Sequence, residues 1–233
     1  PGRCDVSQSF TPFAVEQFLS ESEHGVRYNF SESGVHPLSY RELFELTGAD
    51  TEALFDTLVD YPQVNGLVAL RESIAAMYPG VHPDQVLVTV GATEANTLVA
   101  NTLLRPGDNL VRFRPTYEQL PGNAVNLGIP VRHVNLVEAR EWAVDREGLD
   151  RAVDAHTRLI HVVNPNNPTG QILSEEDRRA IIDAAGRVGA FIVADEVYIG
   201  TERETDVPTP SFWGQYDNVI AINSMSKAYG LPG

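Results

Sequence analysis

The sequence predicts an α/β fold, a mostly parallel sheet covered by helices on both faces. Three observations predict it. Short β-branched apolar runs recur after residue 66, segments with helical spacing separate them, and clusters of Gly, Pro and Asn punctuate the series. Continuous apolar runs mark strands buried on both faces, as in sheets built from strand-helix-strand units.

Up to about residue 61 the periodicity is weak, with turn signals at Ser33-Gly34 and His36-Pro37 and one helix expected near 42–58. Leu67, Leu70, Ile74 and Met77 then share a helical face, which Tyr78-Pro79-Gly80 ends. QVLVTV at 85–90 reads as a strand, 94–104 as a helix broken by Arg105-Pro106-Gly107-Asp108, and 109–113 as a strand. A helix at 118–126, a strand at 131–134, a helix at 149–155 and a strand at 159–163 follow. Ser174 with Asp177 resembles a capping box opening a helix to about 188, and 191–194 and 219–222 are further buried strands.

A chain of 233 residues suffices for one large domain, or one domain and part of another, and 42% hydrophobic residues suit a folded chain. The net charge of -15 argues against nucleic acid or an anionic membrane as partner, because phosphate binding needs clustered positive charge. No apolar run is long enough to cross a bilayer, and residues 1–20 lack a basic start followed by an apolar stretch, so a cytoplasmic location is expected. The single cysteine, Cys4, excludes an intramolecular disulfide, and the six histidines never fall at i, i+4 on a plausible helix, so no metal site is expected. Lys227 is the sole lysine among 17 basic residues.

In parallel sheets ligands bind beyond the carboxyl ends of the strands, and four such ends carry distinctive residues. Gly91-Ala92-Thr93-Glu94 turns straight into a helix, where small residues and free N–H groups can receive a phosphate, although a plain strand-to-helix turn has the same composition. Asn164-Pro165-Asn166-Asn167-Pro168-Thr169-Gly170 fixes an irregular path that can orient an amide, or is simply a rigid turn. Asp195-Glu196-Val197-Tyr198 ends another strand; one carboxylate there could pair with a protonated ring nitrogen, or cap the next element. The last strand leads to Ser224-Met225-Ser226-Lys227. A chain that otherwise uses Arg throughout keeps one primary amine here, and guanidinium cannot replace an amine in forming a Schiff base.

Taken in order, NPNNPTG, ADEVY and SMSKAYGLPG make residues 61–233 resemble the class I/II aminotransferases of fold type I. The resemblance implies a three-layer major domain that binds pyridoxal 5'-phosphate over 61–233, with residues 1–60 contributing to a small domain and to dimer contacts. It implies that Lys227 forms the Schiff base and shuttles the proton, that Asp195 pairs with the pyridine nitrogen, and that Asn167 and Tyr198 hydrogen-bond the phenolic oxygen. Gly91, Ala92 and Thr93 with Ser224, and less directly Ser226, would bind the phosphate, and Tyr117 would stack on the ring. Tyr61 matches a tyrosine that reaches the neighbouring subunit's phosphate, or packs before a helix; the first role implies a homodimer.

The family's phosphate-pairing arginine falls two residues past Gly233, and its C-terminal small domain lies further on. The chain is therefore expected to be a truncated piece, inactive or poorly folded alone. The implied activity is transfer of an amino group between an amino acid and an oxo acid. Ser31-Glu32-Ser33-Gly34-Val35-His36 with SKAYGLPG also looks like the capreomycidine synthases, which eliminate and cyclise a hydroxyarginine. A cofactor-sensing regulatory domain is a third reading, disfavoured because no basic helix-turn-helix precedes residue 61. Arg27, His36 and Tyr40 are candidates for the site from the N-terminal segment, with surface roles as the alternative.

Overall fold

Why the strands lie side by side is visible in how their residues divide between two cores. A computed structural model describes residues 10–232, so Cys4 and Gly233 lie outside the described residues. In chain order the elements are α1 (Ala14–Ser22), α2 (Tyr40–Thr47), α3 (Thr51–Phe55), α4 (Val68–Ala75), α5 (Gly91–Leu103), β1 (Asn109–Arg114) and α6 (Gln119–Asn126). They continue with β2 (Val131–Val137), β3 (Ala143–Val144), α7 (Arg146–Ala152), β4 (Thr157–Val163), α8 (Glu175–Val188), β5 (Phe191–Asp195) and β6 (Val219–Ile222). The sheet runs β3-β2-β1-β4-β5-β6, parallel throughout except for β3.

Successive strand residues point to opposite faces. Val111, Phe113, Ile160, Val162, Ile192 and Ala194 therefore pack with Leu149 of α7 and Ile181, Ala184 and Ala185 of α8. Leu110, Leu159, Val193 and Ile222 face the other way, onto Ala100 of α5 and Leu120 and Ala124 of α6. Each face thus buries one set of alternate residues, which gives the three layers expected from the continuous apolar runs.

Helix α8 shows how local chemistry sets the ends. Ser174 Oγ accepts from the Asp177 N–H, acidic residues fill the first turn, Arg187 sits in the last, and Gly189 closes the helix in the left-handed conformation at φ 70°. Only half of the expected capping box forms. Asp177 turns its carboxylate to the Arg146 Nε at 2.9 Å and the Val144 N–H at 3.3 Å, tying α8 to the edge of the sheet.

Three expectations need correction. The helix expected near 42–58 is two helices, because Gly48 ends α2 at φ 64° and Asp50 caps α3 anew. Helix α1 adds an element where none was expected. Residues 85–90 are not a sheet strand: Val86 is extended, and Val88 donates to the Asn65 carbonyl at 3.1 Å, but no ladder forms. Strand pairing requires a neighbour about 4.8 Å away. Here a largely apolar cavity of about 440 Å³ is bordered by Ile74, Val86, Val88, Ile220 and Ile222 instead.

Candidate active site

Register brings the strand ends together. Val163 of β4 pairs with Asp195 of β5, and Asp195 pairs with Ile222 of β6. The loops that leave these residues therefore start side by side. They are stitched by the Asn164 N–H to the Asp195 carbonyl at 2.9 Å and the Glu196 N–H to the Ile222 carbonyl at 2.7 Å. From β1 the chain goes to β2 on one side of the sheet, and it returns in β4 on the other. The crevice at this reversal is the place where doubly wound sheets hold ligands. Asn166 Nδ2 bridges it to the Pro115 carbonyl at 3.3 Å, joining the loops after β4 and β1.

Asp195 is 3% exposed, and among the described residues its carboxylate pairs with no basic side chain. The Val197 N–H donates to Oδ1 at 3.3 Å. Burial drives its pKa up from 3.8 to about 6, and that one backbone bond only partly offsets the shift. Asn167 Nδ2 donates to the Tyr198 hydroxyl at 3.3 Å, so the amide loop and the turn after β5 meet. Tyr117 sits in the loop after β1; its hydroxyl donates to Glu16 at 2.7 Å, and its ring meets Phe13 edge-on at 5.1 Å. Its pKa is raised first by burial and then by Glu16, with Asp195 and Tyr198 contributing further.

Gly91, Ala92 and Thr93 form the first turn of α5, whose N-cap residue Val90 offers no side-chain acceptor, while Glu94 Oε2 accepts from the Val90 N–H. The leading N–H groups of α5 carry the positive end of the helix dipole. Gly91 and Ser224 border the same cavity, and Ser224 Oγ lies 2.7 Å from Ser226 Oγ. Lys227 follows in the loop after β6, with its Nζ 3.2 Å from Glu32 Oε1. Tyr61 is not brought to this group; its side chain is 99% exposed. Arg27 lies over the Tyr28 ring, Tyr40 stacks on Phe44, and His36 Nδ1 meets the Pro37 carbonyl.

Sequence reasoning missed Glu16, Glu32 and Ser33 as site neighbours. Ser33 Oγ stands 2.7 Å from the Tyr198 hydroxyl. These contacts cross 101, 195 and 165 residues, and no local spacing announces them.

The group of side chains fits a phosphorylated pyridine aldehyde. A buried carboxylate with no cation beside it suits a ring nitrogen that carries a proton. The leading N–H groups of a helix whose N-cap residue supplies no side-chain acceptor suit a phosphate, and a primary amine at the same end of the sheet suits an aldehyde. Among the described residues no His, Cys, Asp and Glu cluster suited to a metal occurs, and no helix is long and apolar enough to cross a membrane.

Residues 42–233 match the family model described as aminotransferase class I and II. The chain is 34% identical over 179 residues to a histidinol-phosphate aminotransferase of Geobacillus sp. (strain WCH70), covering 76% of this chain and 47% of that protein. A PLP-dependent aminotransferase from Streptococcus suis 89-1591 superposes with a TM-score of 0.89 at 35% identity, over 97% of this chain and 60% of that one. The PLP-dependent cyclase OrfR superposes with a TM-score of 0.83 at 29% identity, over 97% and 59% respectively. The chain spans about half the length of the curated relatives it matches.

Proposed function

The chain belongs to the class I and II aminotransferase family, whose cofactor is pyridoxal 5'-phosphate, and on that premise we propose that it moves an amino group between an amino acid and an oxo acid. The observation that carries this reading is the alignment of Asp195, Asn167–Tyr198 and the Lys227 loop on three adjacent strand ends. Bound cofactor supplies an aldehyde that takes up the donor's amine and a ring that accepts the electron pair left at the α-carbon.

The protein's own groups then have separable tasks. Lys227 would hold the cofactor through Nζ and would carry a proton to and from the substrate α-carbon. Asp195 would keep the cofactor's ring nitrogen protonated; the low-dielectric site that raises its own pKa also strengthens its hold on a cation. Tyr198 and Asn167 would hydrogen-bond the cofactor's phenolic oxygen, and Tyr117 would stack on its ring and hold the ring plane. Gly91, Ala92 and Thr93 with Ser224 and Ser226 take the phosphate. Tyr61, exposed here, is assigned to the phosphate of a second copy, which makes the working unit a homodimer with shared sites. Residues 1–60 serve a small domain and the dimer contacts, residues 61–233 are the cofactor domain, and the setting is cytoplasmic amino acid metabolism.

The test is a half-reaction. Adding an amino donor should convert the absorbance of bound cofactor to that of its amine form and release the oxo acid; no conversion with any donor would contradict the reading. Likeness to the cyclase OrfR supports a second reading, elimination and ring closure on a hydroxyarginine. A cyclic product from that substrate would favour the second reading, an oxo acid the first.

A further inference from the structure

Residues 31–38 run as a strap along the lysine loop. The Val35 N–H donates to the Lys227 carbonyl at 3.1 Å and the Leu38 N–H to the Gly230 carbonyl at 3.4 Å. Two glycines allow the approach. A Cβ on Gly230, at φ 66°, would meet the His36 carbonyl at 2.8 Å, and one on Gly34 would meet Glu32 Oε1 at 3.2 Å and the Ser226 carbonyl at 3.5 Å. The Gly34 N–H in turn donates to Glu32 Oε1 at 2.8 Å and aims the carboxylate at Lys227 Nζ, 3.2 Å away. The Glu32 side chain is 53% exposed, so the carboxylate remains open to a ligand.

Bonding a carbonyl carbon engages the Lys227 nitrogen itself, the atom that Glu32 meets at 3.2 Å. The pair is therefore one that opens when the site is loaded. What remains is an anion held by the strap backbone beside the reacting amine; among the described residues its only ion-pair partner is Lys227. An amino acid's own carboxylate would be repelled there, and a cationic group would be attracted.

We propose that Glu32 is a specificity-determining residue that selects a donor whose side chain carries a second positive charge, an ammonium or guanidinium. The proposal rests on the reading of Lys227 as the cofactor lysine. A fixed carboxylate left without its lysine gains a charge-assisted hydrogen bond from such a side chain and none from a neutral one.

The experiment measures binding to the natural-length, cofactor-loaded protein by calorimetry. The probes are des-amino arginine and its uncharged analogue des-amino citrulline, both lacking the amine that reacts. The wild type should prefer the guanidinium probe by about tenfold or more, and Glu32→Gln should abolish that preference, with Glu32→Asp keeping part of it. Retention of borohydride-fixed cofactor by each variant shows that its site is folded. A wild type with no preference, or a Glu32→Gln variant that keeps it, overturns the proposal. Equal loss of affinity for both probes also overturns it, because Glu32 would then act on Lys227 alone. A wild type that fixes no cofactor is a different failure, that of the lysine assignment, and the proposal falls with it.

Discussion

Asn167 Nδ2 donates to the Tyr198 hydroxyl across 3.3 Å, and the same hydroxyl lies 2.7 Å from Ser33 Oγ, so three segments far apart in sequence converge on one phenolic oxygen. A hydroxyl that donates to an anionic cofactor oxygen stabilises the deprotonated form. Tyr198→Phe should raise the pH at which the bound cofactor's absorbance titrates and lower kcat/KM by about tenfold to a hundredfold, the cost of one hydrogen bond to a charged group. An unchanged titration would remove Tyr198 from the site.

Asp195 makes stability depend on pH in a definite direction. Burial raises its folded pKa from 3.8 to about 6, so the folded state holds the proton longer than the unfolded state does. The contribution is intact below about pH 4 and is lost as pH rises through about 6, by about 3 kcal/mol. Denaturant unfolding of cofactor-free protein at pH 4 and pH 7 should show wild type falling by about that amount relative to Asp195→Asn. Cofactor, which brings a cation, should reverse the fall in the wild type. The same variant should lose at least about a hundredfold in turnover, because a neutral amide does not hold the ring nitrogen protonated.

His161 behaves in the opposite sense. It is buried on β4 with neither ring nitrogen bonded, and burial, helped by the Arg112 charge, lowers its pKa to about 3. The neutral ring is stable above pH 6.5, and stability is lost as pH falls from there toward 3. Replacing it with Leu removes two unpaired polar atoms from the core at similar volume. The His161→Leu variant should be at least as stable as wild type at pH 7 and should unfold at lower pH on acid titration. A loss of more than about 2 kcal/mol at pH 7 would mean that the imidazole makes a bond absent from this account.

Much of the candidate site was legible because the residues proposed for it lie in short strings at strand ends. Lys227 stood out as the sole lysine, and NPNNPTG and ADEVY carry the turn residues and the acid in order. The strand at 109–113 was legible from its apolar run, and in the fold its neighbours Leu110 and Val111 enter opposite cores. What depends on partners distant in sequence was not legible. QVLVTV has the composition of a strand, but a strand exists only when something pairs with it. Glu32 lies in a segment of weak periodicity, and its meaning comes from an amine 195 residues away. The break at Gly48 was available as a signal, because glycine in the left-handed conformation ends helices, yet the apolar spacing on either side masked it.

The most direct measurement is borohydride reduction of the natural-length protein followed by peptide mapping, on wild type and on Lys227→Arg. If one amine holds the cofactor aldehyde, wild type should carry a reduced cofactor mass on the peptide containing Lys227, and the variant should carry none while still folding. Cofactor fixed elsewhere in the wild type, or fixed equally in the variant, would contradict the account.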